Sequence, residues 1–288
     1  MQEMNIAIAI DDSFMMPATV MLHSAFSRTE RKIHLYLLYS SLSEKNRNKL
    51  RGIVERAGHR FTEVKIDEEL FKNASLNNNE LYSVEIYYRI LLPYVTAEDK
   101  ILWLDSDTII YGDISELYDH DVSEVYLAAV IDIAEENGGR ERIKPLLGIE
   151  DQVYFSSGVM LLNCRKIRSE IPQEAFFKAI EQYNDVLHCP DQDILNLLLG
   201  NNVLLLDKKY NDQHHMERRA KSEYSSLMVI HYYWTKPWDK DYKGHLANVF
   251  WQEALECGYV IPWFKYYWRY HMSRISSFIK NRVKRIKG

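Results

Sequence analysis

The feature that most constrains this chain is a regular recurrence of apolar runs: "NIAIAI" (5–10), "IHLYLLY" (33–39), "FTEVKI" (61–66), "KILWL" (100–104), "YLAAVI" (126–131), "GVMLLN" (158–163), "NVLLL" (202–206) and "MVIHYY" (228–233). Several are continuously apolar. A strand with one wet face alternates, whereas a strand covered on both faces reads as an unbroken apolar run. Helix-length segments separate the early runs. "SEKNRNKLRGIVERAG", for example, starts at a capping candidate, Ser43, and stops at Gly58. Strand and helix in alternation predict an α/β fold with a mostly parallel sheet flanked by helices.

With 47% apolar residues in 288, the chain can bury about 75% of its unfolded surface, enough for one large domain. No internal repeat and no Pro/Gly/Ser-rich linker divides the first 260 residues. The expected organisation is a catalytic domain over 1–262 and an appended tail over 263–288, with the boundary near Pro262. The opening "MQEMNIAIAIDDS" lacks the basic flank and long apolar stretch of an export signal, and no run reaches the roughly 20 residues of a membrane-spanning helix. Cys164, Cys189 and Cys257 are odd in number and widely spaced. Structural thiols in a reduced cytosol are expected.

The net charge of −5 conceals an asymmetry, because residues 265–288 hold eight Lys/Arg and no acid, leaving 28 basic against 41 acidic residues elsewhere. An acidic body argues against nucleic-acid binding. The tail "WFKYYWRYHMSRISSFIKNRVKRIKG" sets Ile275, Phe278, Ile279, Val283 and Ile286 at near-helical spacing among basic residues. That pattern fits an amphipathic helix lying on an anionic membrane surface; the other readings are a docked C-terminal helix with a solvated basic face and a frayed end.

In open α/β sheets ligands gather at the carboxyl ends of strands, which is where Asp11, Asp12, Asp105, Asp107 and Asp132 fall. Residues i and i+2 of an extended strand share a face, so Asp105 and Asp107 are expected to present two carboxylates to one ligand, with Ser106 turned away. Paired carboxylates call for a counter-charge, and oxygen ligands suit Mg²⁺ or Mn²⁺. The plainer alternative is a pair of turn residues beyond the strand. His231 ends a later apolar run and Lys236 follows five residues on. One imidazole beside two carboxylates tilts the choice toward Mn²⁺.

"AIAIDDSF", "YYRILLPY", "KILWLDSDTIIYGDISELY", "AAVID", "YFSSGVMLLN", "DQDILN" and "IHYYWTKPW", in this order, resemble the family 8 retaining glycosyltransferases, a group that includes bacterial lipopolysaccharide galactosyl- and glucosyltransferases and glycogenin. The resemblance covers roughly residues 5–240. It implies the Rossmann-like nucleotide-sugar fold called GT-A, a UDP-hexose donor and Mn²⁺. Position by position, it implies that Asp105, Asp107 and His231 bind the metal, with Asp105 also near the ribose. Asp11 and Asp12 would hold uracil and ribose, Lys236 the diphosphate, and Arg89 the donor side. Asp132, Asp191 and Gln192 would surround the donor sugar, with the Gln192 amide near the anomeric carbon, and Ser156 and Gly158 would line the nucleotide-sugar site.

Departure of UDP gathers charge on the diphosphate while the sugar becomes cation-like, so a metal and a lysine there act electrostatically and no general acid is required. Retention could proceed through a covalent sugar on a side chain or through front-face attack. The neutral amide of Gln192 is a poor nucleophile, which favours the front-face route. "CPDQDILNLLLG" also reads as a helix start with favourable first-turn acids.

Two departures from the family pattern stand out. Ser156-Ser157-Gly158 replaces an asparagine before a small residue and glycine, and Tyr233-Trp234 fill a loop where the family often has glycine, with spacing one residue shorter. The resulting expectation is a membrane-associated transferase at the cytoplasmic face, moving galactose or glucose from a UDP-sugar to a glycan or lipid-linked acceptor. The alternatives are a non-catalytic glycan-binding or scaffolding protein on the same fold, and a sugar nucleotidyltransferase. The second would bring a Gly-rich basic loop after the first strand, where "AIDDSFMMP" stands.

Overall fold

Seven of the eight apolar runs become strands of one sheet, and the eighth forms a two-stranded sheet beside it. The computed structural model describes residues 3–76, 83–218, 220–242 and 244–268. The strands are β1 (Met4–Ala9), β2 (Ile33–Tyr39), β3 (Arg60–Lys65), β4 (Lys100–Leu104), β5 (Thr108–Ile110), β6 (Leu127–Ile131), β7 (Phe155–Asn163), β8 (Val203–Leu205) and β9 (Val229–His231). The helices are α1 (Met15–Phe26), α2 (Glu44–Arg56), α3 (Tyr88–Val95), the short α4 (Ser115–Tyr118), α5 (Ile133–Glu136) and α6 (Ile143–Leu147), then α7 (Cys164–Glu170), α8 (Gln173–Tyr183), α9 (Pro190–Leu199) and α10 (Ala247–Glu256).

The large sheet runs β3-β2-β1-β4-β7-β6-β8, with β7 antiparallel to both neighbours and every other pairing parallel or through β7. Its continuous apolar runs have the expected cause: all seven residues of β2 and all nine of β7 are buried. Alternate residues face opposite layers. Ile6, Ile8, Leu35, Leu102 and Leu161 pack on α1 and α2, while Ala7, Tyr36, Trp103, Met160 and Leu162 pack toward α3, α7, α8 and α9. Each fully buried aliphatic side chain is worth about 1.5–3 kcal/mol in transfer from water. By contrast β3, at one edge, is only half-buried and carries its charged residues outward.

Ser43 caps α2, its hydroxyl accepting from the Asn46 amide, and Gly58 follows the helix at φ 82°. The reversal of β7 has the larger consequence for function. It brings the first residues of β7, including Ser156, Ser157 and Gly158, to the same sheet edge as the carboxyl ends of β1, β4 and β6. A third apolar cluster, with Ile109, Ile230, Tyr232 and Phe250, packs the β5-β9 ribbon and α10 against Val20 of α1.

Residues 260–268 are helical. The expected domain boundary at Pro262 therefore falls near the start of a helix, whose Trp263 and Tyr266 pack onto this third cluster, with Tyr266 stacked on Trp251 at 5.2 Å between ring centroids. Residues 269–288, most of the proposed tail, lie outside the described residues. No described helix is long and apolar enough to cross a membrane.

Candidate active site

The sheet edge opens into a cavity of about 500 Å³. Asp11, Arg89, Asp105, Asp107, Asp132, Ser156, Gly158, Asp191, Gln192, His231 and Lys236 all line it. Asp12 does not appear among the lining residues. Its Oδ1 accepts from the Ser43 amide at 3.0 Å, the Ser43 hydroxyl at 2.9 Å and the Asn46 amide group at 2.9 Å, and these bonds, the Ser43 amide foremost, lower its pKa. The sequence led us to place it on uracil and ribose; here it ties the end of β1 to the start of α2. Asp11 begins a 3₁₀ turn, accepting from Ser13 and Phe14 amides at 2.9 and 3.1 Å.

The Asp105–Asp107 pair is assembled differently from the expectation. β4 stops at Leu104, and Asp105 and Ser106 lead into a turn in which the Thr108 amide and hydroxyl both reach the Asp105 carbonyl, at 3.2 and 2.8 Å. A turn, and not the pleat of an extended strand, brings the two carboxylates together. Ser106, expected to turn away from the ligand, also lines the cavity and is 6% exposed with its hydroxyl unpartnered.

His231 arrives through the small ribbon. β5 and β9 pair with Thr108 opposite His231, and the Tyr232 amide donates to the Asp107 carbonyl at 3.0 Å. His231 Nε2 consequently lies 3.3 Å from Asp107 Oδ1 and 3.9 Å from Asp105 Oδ2. On its other side Nδ1 meets Asn211 Oδ1 at 2.9 Å, while the Asn211 amide group donates to the Ser156 hydroxyl at 3.1 Å. With the carbonyl oxygen of Asn211 turned to the ring, Nδ1 carries the proton and the Nε2 lone pair faces the carboxylates. A lone pair opposed to two anionic oxygens asks for a cation between them. Asp107 Oδ1 is moreover buried without a hydrogen bond, and one atom each of Asp105, Asp107 and His231 lie within 4.8 Å of one another. The donor set therefore fits a divalent metal ion of oxygen-and-imidazole preference.

Lys236 sits on Asp107 Oδ2 and on the Tyr232 carbonyl, the latter at 2.8 Å. Burial alone would raise the Asp107 carboxyl, but the Lys236 ammonium outweighs it and holds the group below the ordinary carboxylate range. Arg89 is 6% exposed and bridges the two halves of the site. It contacts Asp105 at 2.8 Å, Asp191 at 3.1 Å and the Ser157 carbonyl at 2.8 Å, with its guanidinium over the Trp103 ring. The Trp103 indole N–H in turn donates to Asp105 at 2.9 Å.

The helix α9 presents its first turn to the cavity. Asp193 accepts from the His188 and Cys189 amides at 2.6 and 2.9 Å, so it satisfies the helix start, and Asp191 and Gln192 are left to face the site. Asn196 exchanges hydrogen bonds with both backbone groups of Phe155, at 2.8 and 2.9 Å, locking α9 to β7. Gln192 is held at both ends: Oε1 accepts from the Ser157 amide at 2.8 Å and Nε2 donates to Asp132 at 3.2 Å. Burial pushes the Asp191 carboxyl up to about 6, against the opposing pull of Arg89.

Sequence reasoning missed three residues. Arg140 makes a paired contact with Asp132, Nε and the second guanidinium nitrogen each at 2.9 Å, so Asp132 is not a free acid. Asn211 orients His231, and Trp103 orients Asp105. Only the Trp103 signal was near to hand, two residues before the acid.

A family description, glycosyl transferase family 8, matches residues 5–242. The chain belongs to glycosyl transferase family 8. Among the relatives of this family 8 chain, a lipopolysaccharide 1,2-glucosyltransferase of Escherichia coli is 30% identical over 85% of the chain and 78% of its own length. A lipopolysaccharide 1,3-galactosyltransferase of Salmonella typhimurium is 26% identical over 81% and 72%. The chain spans 63% of a putative glycosyltransferase of Haemophilus influenzae at 27% identity, and 60% of the glycosyltransferase GlyF of Streptococcus pneumoniae at 25%. Among solved structures, the galactosyltransferase LgtC in complex with donor and acceptor sugar analogs superposes with TM-score 0.77 at 27% identity, covering 88% of this chain and 96% of LgtC. The fold is thus the GT-A type expected from the sequence.

Proposed function

We propose that this family 8 chain transfers a hexosyl group, galactose or glucose, from a UDP-sugar to a glycan or lipid-linked glycan acceptor of the cell surface, with Mn²⁺ as the metal. The observation that carries the reading is the convergence of Asp105, Asp107 and the Nε2 lone pair of His231 on the cavity that also holds Asp191 and Gln192. The lipopolysaccharide glucosyl- and galactosyltransferases among its relatives support the substrate class, and so does LgtC with its two sugar analogs.

Asp105, Asp107 and His231 would hold the metal, which supplies positive charge for a departing diphosphate. Arg89, clamped between two acids, and Lys236, held by Asp107 and the Tyr232 carbonyl, add positive charge beside the metal. Gln192, tied to Ser157 and Asp132, is placed to position the sugar, and the Asp132 and Asp191 carboxylates offset charge developing on its anomeric carbon. As the bond from the anomeric carbon to the diphosphate oxygen breaks, its electron pair leaves with UDP. The acceptor hydroxyl attacks from the same face and its proton passes to the departing phosphate oxygen, so configuration is retained.

We place the protein at the cytoplasmic face of a membrane. Val260, Ile261, Phe264 and Trp268 are all more than half exposed and fall on one side of the 260–268 helix, directly ahead of the basic segment. The test of the activity is UDP formation from UDP-galactose or UDP-glucose with added Mn²⁺. Absence of UDP from both donors in the presence of a saccharide acceptor would reject the reading.

A further inference from the structure

Trp234 is the one non-glycine residue with positive φ among the described residues, at 60°. That left-handed conformation is costly for any residue with a Cβ, and it persists only where the surroundings impose it. The surroundings here are explicit. On one side His215, fully buried, donates from Nε2 to the Tyr233 carbonyl at 3.2 Å while its Nδ1 accepts from the Tyr242 hydroxyl at 2.9 Å. On the other side the Lys236 amide donates to Asp239 at 2.8 Å, and the Lys236 ammonium is anchored to the Tyr232 carbonyl and Asp107. The loop is pinned at both ends, and the strain is concentrated on Trp234.

The fold gains little from this side chain. Trp234 is 55% exposed, yet it lines the catalytic cavity, and it is the sole exposed large apolar residue among the described residues that do so. Trp238, which also lines the cavity, is by contrast packed, edge-on to Phe14 and against Phe250 at 4.9 Å. The strained backbone is a cost to folding that the exposed indole does little to offset, so its compensation is sought in a ligand.

We propose that Trp234 is a platform for the acceptor, its indole covering the apolar C–H face of the terminal pyranose that receives the hexosyl group. This rests on the transferase reading above. The groups suited to a nucleotide sugar lie at the sheet edge, buried; the second substrate comes from solvent, across the exposed rim where Trp234 stands. A planar aromatic face suits a sugar ring because it offers contact area at little side-chain entropy cost and leaves the hydroxyls free for other partners.

The experiment compares the full chain with Trp234→Gly and Trp234→Tyr, using lactose, methyl β-galactoside and methyl β-glucoside as probes. Two readouts are taken: saccharide titration followed by intrinsic tryptophan fluorescence, and KM for saccharide and for UDP-sugar determined separately. The proposal predicts that at least one probe perturbs the wild-type emission and that Trp234→Gly abolishes this response. It also predicts an acceptor KM raised about tenfold in Trp234→Gly, the loss of one aromatic contact, with donor KM unmoved and Trp234→Tyr close to wild type. Because glycine adopts this conformation freely, Trp234→Gly should melt no lower than wild type. A wild-type protein whose emission responds to none of the probes overturns the proposal, as does an unchanged acceptor KM or a donor KM that rises in parallel. If saccharides bind through Trp234 while neither UDP-sugar is consumed, the platform stands and the transferase reading fails.

Discussion

Replacing Gly158 by alanine should disable the proposed metal site while leaving the sheet intact. A Cβ at this position would lie 2.2 Å from His231 Cε1, 2.7 Å from His231 Nδ1 and 3.0 Å from Asp105 Oδ2. The first distance is 1.2 Å short of the 3.4 Å at which ordinary van der Waals contact begins. The imidazole has no easy retreat. Its backbone is fixed opposite Thr108 and by donation to the Asp212 carbonyl at 2.9 Å, and its Nδ1 is held by Asn211. Moving the ring by an ångström breaks the Asn211 bond and draws Nε2 away from Asp107. A lost partner of a metal-binding histidine costs about 10–100-fold in metal affinity, and an ångström of misplacement costs about a hundredfold in rate, or ~2.7 kcal/mol. Mn²⁺ affinity measured by electron paramagnetic resonance, together with UDP release, reads both effects, and circular dichroism checks the fold. In a His231→Ala background the Gly158→Ala change should cost much less, because the two closest contacts are gone and only the one at 3.0 Å from Asp105 Oδ2 remains. Wild-type Mn²⁺ affinity in Gly158→Ala would refute the reasoning.

Asn211→Ala should weaken Mn²⁺ binding by about 10–100-fold without the steric clash, measured by the same titration. Lys236→Met should lower the melting temperature in chelator, since it strands the buried Asp107 carboxylate at a cost of about 3 kcal/mol; Mn²⁺ should then stabilise this variant more than it stabilises wild type. The Asp191 carboxyl titrates at about 6 when folded against 3.8 for its ordinary value. A raised carboxyl contributes stability that is full below about pH 4 and lost as pH rises through 6, a difference of about 3 kcal/mol. Urea unfolding should therefore find Asp191→Asn more stable than wild type above pH 7 and equal to it near pH 4. Removing residues 265–288 should release the protein from vesicles containing phosphatidylserine in a sedimentation assay, and continued binding would locate the contact elsewhere.

The strands were legible because burial on both faces leaves a strong local mark, and the acids because they interrupt those marks. The helix at Ser43–Gly58 was legible for the same local reason. What escaped was set by distant parts of the chain. Nothing near Asp132 announces that Arg140 will clasp it, and nothing in "KKYNDQ" says that Asn211 will set the proton on His231. Gly158, expected to line the nucleotide-sugar site, does line the cavity, and in space it is also the clearance that lets an imidazole approach a strand. The Asp105 and Asp107 carboxylates do meet, but not across a strand's pleat: "TII" becomes β5 of the ribbon, and the chain turns through Asp105, Ser106 and Asp107 to reach it. Asp12 was misplaced through its neighbour: adjacent acids after one strand point to different partners, and only the contact with Ser43 and Asn46 separates them.

The central claim is that Asp105, Asp107 and His231 form a metal-dependent site for a UDP-hexose. Its most direct test is UDP formation from UDP-galactose and UDP-glucose, in Mn²⁺ and in EDTA, for wild type and Asp107→Ala. The account predicts UDP from at least one donor, abolished by EDTA and reduced about a hundredfold or more by the substitution. UDP formed equally in EDTA, or equally by Asp107→Ala, would contradict it.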